Sequence, residues 1–294
     1  MEVVTNYEPY SQEPEYIAAN KALVETMSLA SIRRVVDLAC GTGLLSDLLL
    51  QMKPDVVING VDISNESLEI GRKVFRGKGL LAETDAQLEE AFRAGRGAIR
   101  LEERSAMDPP FPDGRFDAGM IGNAIHLMPD KDLFLQGVHR LLKPQGQFIF
   151  NSVFFTGTFA EGTEPVYTEW MKEAVLLLTR KSEERARRGE PPIKRTRGKF
   201  GRAFDKDWKS PEEWKALLEK HGLRVTRVHK RPIPITQHAL ELVGAYGGLA
   251  EVLMTGYPVD VASECLQHAV GPAFKRAGVT EVIRYWLEVT AVRA

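Results

Sequence analysis

Arg33-Arg34-Val35-Val36-Asp37-Leu38-Ala39-Cys40-Gly41-Thr42-Gly43-Leu44-Leu45-Ser46-Asp47-Leu48-Leu49-Leu50 is the stretch that decides how this chain is read. It opens with a short β-branched run, passes through small residues and glycines, and closes on residues with the length and propensity of a helix. The order is strand, tight turn, helix. Gly41 and Gly43 permit the dihedrals of such a turn and let a ligand come close to the backbone. Unpaired amides where the helix begins favour an anionic group. Asp37, just before the turn, repels a pyrophosphate and suits a ligand that also carries an ammonium group.

Working outward, residues 56–62 form a second strand candidate ending in Asp62, and Ser64 or Asn65 is placed to cap the helix after it. Asp62 lies about 20 residues beyond the turn, where an acid in such a sheet binds ribose hydroxyls. A dinucleotide site would have a third glycine where this chain has Ser46, which counts against a nicotinamide oxidoreductase. Further strands are expected at 98–101, 116–121, 147–151, 223–229 and 282–292, with helices near 86–93, 132–142 and 211–220. Phe111-Pro112-Asp113-Gly114 and Lys143-Pro144-Gln145-Gly146 read as turns.

This alternation predicts an α/β fold: a Rossmann-like doubly wound sheet, mostly parallel with a final antiparallel strand, plus helical lid insertions. The expected organisation is an N-terminal lid and helix (1–30), a cofactor-binding core (31–152), a basic helical insertion (153–209), a core helix and strand (210–231), a helical cap insertion (232–281) and a last core strand (282–294).

The 294 residues are 44% hydrophobic and 27% charged, a balance that suits a folded chain rather than disorder. A net charge of -1 supplies no field for nucleic acid. Cys40 and Cys265 fit neither a disulfide framework nor a metal-ligand spacing, so no metal is expected and a reducing, cytoplasmic setting is. The N-terminus shows no secretory pattern, and no apolar run approaches the roughly 20 residues needed to span a bilayer.

Around the opening turn the sequence resembles the class I methyltransferases, especially those that methylate small molecules. The resemblance rests on Asp37-Leu38-Ala39-Cys40-Gly41-Thr42-Gly43, with Ala39 in place of one glycine, and on Val61-Asp62-Ile63-Ser64 and Phe111-Pro112-Asp113-Gly114-Arg115-Phe116-Asp117. Ile125-His126-Leu127-Met128-Pro129-Asp130 and Leu141-Leu142-Lys143-Pro144-Gln145-Gly146 extend it, so that it covers residues 31–152. It implies S-adenosyl-L-methionine as cofactor, with Asp37, Ala39, Gly41 and Gly43 around the methionine end. Asp62 would take the ribose and Ile63 would lie against adenine. Ser105, Ala106 and Met107 would line the adenine, Ser105 standing where many relatives carry an acid. Asn123 would sit beneath the methionine portion.

His126 follows the fourth strand, where the family faces its substrate, and an imidazole accepts protons near neutral pH. It is the candidate catalytic base; packing over the cofactor or capping the next helix is the alternative. Tyr7 and Tyr10, with Tyr16, suit an aromatic lid over a sulfonium or a docked N-terminal arm. Between Arg180 and Lys209 there are twelve Lys and Arg against five Asp and Glu, which fits either an anionic or carrier-bound substrate or a solvated face. His238, Glu241 and Tyr246 are candidate substrate contacts in a segment that suits a pocket roof or a contact between copies. A cofactor-binding module that methylates nothing is the competing class.

Overall fold

The structure is a computed structural model that describes residues 8–196 and 208–294. Its strands are β1 (Arg34–Leu38), β2 (Val57–Asp62), β3 (Ala98–Glu103), β4 (Phe116–Gly122), β5 (Leu142–Ser152), β6 (Leu223–Thr236) and β7 (Glu281–Arg293). They form one sheet in the order β3-β2-β1-β4-β5-β7-β6. β1 pairs in parallel with β2 and β4, β2 with β3, and β4 with β5, while β7 runs antiparallel to β5. This is the doubly wound sheet the alternation predicts. The chain winds outward from β1 to β3, then returns to place β4 on the other side of β1. A crevice at the carboxyl ends of β1 and β4 follows, and open α/β sheets bind ligands at such a switch point.

The helices are α1 (Glu8–Ser11), α2 (Pro14–Val24), α3 (Leu44–Met52), α4 (Asn65–Gly77), α5 (Asp85–Arg93), α6 (Lys131–Leu141), α7 (Glu164–Arg187), α8 (Pro211–Lys220), α9 (Gln237–Ala245), α10 (Gly247–Leu253) and α11 (Val259–Ala277). Several starts are fixed by side chains. Ser64 accepts from the Ser67 amide, Asp130 from Leu133, and Thr84 and Ser210 form capping boxes with Gln87 and Glu213. Each such cap contributes about 1 kcal/mol.

Two compact units emerge. The first comprises Ile17–Thr158, Trp208–Arg231 and Trp286–Ala294 and holds the crevice. Val35, Ile58, Met120 and Ile149 from its strands pack with Leu49 of α3 and Phe75 of α4, all fully buried. β1 is buried on both faces, as expected for a central parallel strand. At the amino end of the sheet, Asp117 accepts from the backbone amides of Arg33 and Arg34 at 2.9 and 2.8 Å and from Lys143 Nζ at 2.6 Å. Burial pushes the Asp117 carboxyl up, but these donors outweigh it and hold it below the usual range. Arg34 grips Glu89 through two bonds of 2.8 and 2.6 Å while its guanidinium lies 3.7 Å from the Phe92 ring centre.

The second unit draws on segments 8–16, 159–196 and 232–285 and is largely helical. α7 and α11 pack together: the buried Trp170 indole donates to the Leu266 carbonyl at 2.7 Å, and Arg276 pairs with buried Glu173. Tyr10 meets Tyr16 edge-on at 5.1 Å, and Arg284 lies over Phe159 and Tyr167.

Two strands run well beyond the sequence reading. The strand expected at 223–229 continues through Pro232 and Pro234 to Thr236. β6 is the last strand of the sheet, and proline is tolerated on an edge because no ladder donor is needed there. β5 begins at Leu142 rather than 147; Gln145 has φ +63° and the pairing register shifts between Phe116 and Ala118, so the Pro-Gln-Gly turn becomes an irregular strand start.

Candidate active site

The turn after β1 is left-handed at three residues: Ala39 (φ +53°), Gly41 (φ +55°) and Gly43 (φ +91°). A side chain at Gly43 would come within 2.6 Å of the Phe75 ring, whereas one at Gly41 would meet nothing within 4 Å. Gly43 therefore serves packing, and Gly41 borders open space where a ligand can approach the backbone. Gly71 of α4 plays the matching part, since a Cβ there would sit 2.8 Å from the Thr42 carbonyl. α3 then starts at Gly43 with no side-chain cap, leaving its first amides for another acceptor.

Asp62 holds this turn in shape. Its two carboxylate oxygens accept from the amides of Gly41 and Ser64, each at 2.8 Å. A carboxylate oxygen accepts more than one bond, so Asp62 keeps capacity for ribose hydroxyls. Asp37 is the opposite case: it is 1% exposed, accepts from Ser46 Oγ at 2.7 Å, and its Oδ1 is buried with no hydrogen-bond partner. Burial, and secondarily the charge of Asp62, push its carboxyl up to about 7 despite the Ser46 bond. A buried, under-bonded carboxylate beside a left-handed glycine turn fits a cationic group of a bound ligand. Burial and the charges of Asp37 and Asp62 also push the Cys40 thiol up, which disfavours its thiolate.

Ile63 is 76% exposed, an apolar side chain standing in water directly after Asp62, as a flat base requires. After β3, Ala106 is buried, Ser105 is exposed, and Ser105 Oγ accepts from the Met107 amide at 3.2 Å. Arg104 continues the ladder by donating its amide to the Asp62 carbonyl at 2.9 Å, which sets Ser105–Met107 beside the β2 end. These residues fit the adenine end of S-adenosyl-L-methionine.

Asn123 closes β4 at φ +47°, its side chain accepting from the Val153 amide at 2.9 Å while its own amide donates to Asn151 Oδ1 at 2.7 Å. Asn151 in turn donates to Asn20 Oδ1 of α2 at 3.0 Å. His126 lies on a short 3-10 turn, Ile125–Leu127, half-buried, with Nδ1 3.2 Å from Ser152 Oγ and its ring 4.3 Å from that of Phe154. Phe154 also meets Trp208 at 5.7 Å. Asp37, Gly41, Gly43, Asp62, Ile63, Ser105–Met107, Asn123 and His126 thus all stand at the carboxyl edge of one unit's sheet.

The remaining candidates are elsewhere. Tyr7 lies outside the described residues. Tyr10, His238, Glu241 and Tyr246 belong to the second unit: burial raises the Tyr10 phenol, His238 Nε2 is 3.8 Å from Glu13, Glu241 accepts from Gln237 at 2.7 Å, and Tyr246 packs on Gly248. In the basic stretch, Lys181 pairs with Glu264, Arg187 with Glu183, and Arg185 and Arg188 with Glu190, contacts typical of a solvated face; residues 197–207 of it lie outside the described residues. Among the described residues no three His, Cys, Asp or Glu side chains gather as a metal site, and no helix is long and apolar enough to cross a membrane.

Sequence reasoning passed over Asn20, Asn151 and Ser152, and read Ser46 only as an absent glycine rather than as the partner of Asp37. The usable signal was polarity inside apolar runs: Asn151 and Ser152 end the Phe148-Ile149-Phe150 run, and Ser46 interrupts a leucine helix.

Comparison with known proteins agrees with this geometry. Residues 36–150 match the family model described as a methyltransferase domain. A demethylmenaquinone methyltransferase from Symbiobacterium thermophilum is 36% identical over 116 residues, 39% of this chain and 40% of that protein. The match thus spans about two fifths of the relative's length. The YcgJ protein of Bacillus subtilis superposes with a TM-score of 0.55 at 18% identity, covering 94% of this chain and 98% of that one. A geranyl diphosphate methyltransferase in complex with GPP and sinefungin gives 0.50 at 17% identity, covering 94% and 78%. The similarity to a methyltransferase domain thus lies in residues 36–150, and the likeness to the solved structures is one of Rossmann-like fold.

Proposed function

We propose that this protein is an S-adenosyl-L-methionine-dependent methyltransferase that acts on a small-molecule acceptor through an oxygen or carbon nucleophile. The observation that carries the reading is Asp37: a fully buried carboxylate with one unpartnered oxygen, at the head of a left-handed glycine turn that Asp62 clamps. A nicotinamide cofactor has no ammonium group to set against that oxygen. The relative named for demethylmenaquinone and the fold neighbour named for geranyl diphosphate both support a small-molecule acceptor.

When bound, S-adenosyl-L-methionine supplies an electrophilic methyl carbon on a sulfonium. Asp37 and the amides at the start of α3 hold the amino-acid end, Asp62 the ribose, and Ile63 with Ala106 the base. Fixing the nucleophile in line with the departing sulfur is the main contribution; alignment of this kind is worth up to roughly 7–11 kcal/mol. His126 takes the proton of a hydroxyl or acidic carbon, a step worth about 10²- to 10⁴-fold.

Calorimetry with S-adenosyl-L-methionine and with NADH, followed by assay of S-adenosylhomocysteine formation with quinols, phenols and isoprenoid diphosphates, tests the reading. Binding of the sulfonium cofactor and turnover with one acceptor class are expected. Tight NADH binding with no response to S-adenosyl-L-methionine would overturn it, and cofactor binding with no product from any acceptor would favour a binding module.

A further inference from the structure

Ser152 ends β5, is 0% exposed, and carries a hydroxyl with one donor and two acceptor positions. Three groups surround that oxygen. The Phe154 amide donates to it at 3.1 Å, the Phe154 carbonyl lies 3.3 Å away as an acceptor, and His126 Nδ1 is 3.2 Å away. Two arrangements of protons are conceivable. If His126 Nδ1 is bare, the hydroxyl must give its only hydrogen to the ring; the Phe154 carbonyl then loses that bond and one acceptor position on a buried oxygen goes unused. If Nδ1 carries the hydrogen, the hydroxyl accepts from Nδ1 and from the Phe154 amide and donates to the Phe154 carbonyl, so all three positions are filled. The second arrangement makes three hydrogen bonds around the buried oxygen where the first makes two, which favours it.

We propose that Ser152 is a positioning residue that fixes His126 in the Nδ1–H tautomer, so that Nε2 is the ring's acceptor nitrogen and the site at which it takes a proton. The Phe154 ring at 4.3 Å limits rotation of the imidazole and supports the same orientation. This arrangement has a property the other lacks. When Nε2 gains a proton, Nδ1 keeps its own, and the three bonds around Ser152 Oγ stay as they were. Nothing in the support has to turn over during the reaction, which is how a preorganised base avoids reorganisation cost. The role in turnover rests on the methyltransferase reading above: the acceptor's proton moves to Nε2, the electron pair left behind forms the bond to the donated methyl carbon, and the pair of the broken carbon–sulfur bond remains on sulfur. The tautomer itself is independent of that reading.

The test is long-range proton–nitrogen NMR of the imidazoles in the ¹⁵N-labelled full chain at a pH where the ring is neutral, with the His126 signals identified by their absence in His126→Asn. Wild type is expected to show Nδ1–H, Ser152→Ala to shift toward Nε2–H, and Ser152→Thr, which keeps the hydroxyl, to restore the wild-type pattern. In turnover, Ser152→Ala is expected to lower kcat about tenfold with the cofactor KM unchanged, and Ser152→Thr to recover most of it. An Nε2–H signal in wild type, or a tautomer indifferent to Ser152→Ala, overturns the proposal; the wild-type spectrum decides even if the alanine variant fails to fold. The expected spectra with no methyl transfer by wild type on any acceptor would sink the reaction and leave Ser152's role standing.

Discussion

Asp117 and Asp37 sit at opposite ends of the same sheet and receive opposite treatment. At the amino end, Asp117 takes two backbone amides and a lysine, and its carboxyl is held below the usual range. At the carboxyl end, Asp37 has one serine hydroxyl and a bare buried oxygen, and its carboxyl is pushed up to about 7. One carboxylate is fully partnered within the fold; the other keeps a buried oxygen with no protein donor, which the proposed function assigns to the ligand. On the proposed reading the difference separates a residue that stabilises from one that binds, although both are acids on central parallel strands.

Substitutions can break the contrast at either end. Asp117→Ala leaves the Arg33 and Arg34 amides without their acceptor and should cost about 3 kcal/mol of stability by chemical denaturation, with cofactor affinity unchanged within roughly twofold. Asp37→Asn keeps the shape and the Ser46 bond but removes the charge. Calorimetry should show S-adenosyl-L-methionine binding weakened by roughly ten- to a hundredfold, the range of a charge-assisted hydrogen bond, without loss of stability.

Acidity sharpens the comparison further. A raised folded-state pKa means that Asp37 costs the fold nothing below about pH 4, where it is protonated folded and unfolded alike. As pH rises toward 7 the unfolded chain ionises while the folded one does not, and stability is lost across that window. Asp117 has the reverse sign: its contribution is present above the unfolded pKa and disappears as pH falls through its lowered value. The stability gap between Asp37→Asn and wild type should therefore widen by about 2 kcal/mol between pH 5 and 7.5. A gap independent of pH would show that Asp37 is ionised in the folded chain.

The smallest effect concerns Ala39. An alanine at φ +53° is strained by roughly 1–2 kcal/mol, partly offset by the extra freedom glycine has when unfolded. Ala39→Gly should raise stability by about 0.5–1 kcal/mol in a thermal melt and leave Asp37 and Asp62 as they are.

Much of this was legible in the sequence because it is local. The β1 turn, Asp62 after β2 and the exposed Ile63 each follow from residues adjacent in the chain, and the βα alternation orders the strands. The partnerships were not, since they join residues distant in sequence: Asn20 meets Asn151, His126 meets Ser152, and Asp62 reaches back 21 positions to Gly41. The continuation of β6 beyond 229 through Pro232 and Pro234 was not legible either, because proline fits there only if β6 is outermost, a property of the whole sheet. The acceptor stays a proposal for a related reason. His238, Glu241 and Tyr246 make side-chain contacts of kinds found in any helical layer, with no pattern that specifies a substrate.

The same two prolines bear on whether sheets of two copies could join edge to edge. A sheet open at both rims invites further strands, and uncontrolled addition of this kind ends in polymer. On β6 the missing N–H groups of Pro232 and Pro234 interrupt the row of donors a newcomer would need. On β3, Leu81 bridges to Ile99, and an Arg72 guanidinium nitrogen takes the Leu101 carbonyl at 3.0 Å. Both rims are therefore blunted, so a second copy would have to join through side chains, and concentrating the protein should not extend the sheet from one molecule to the next.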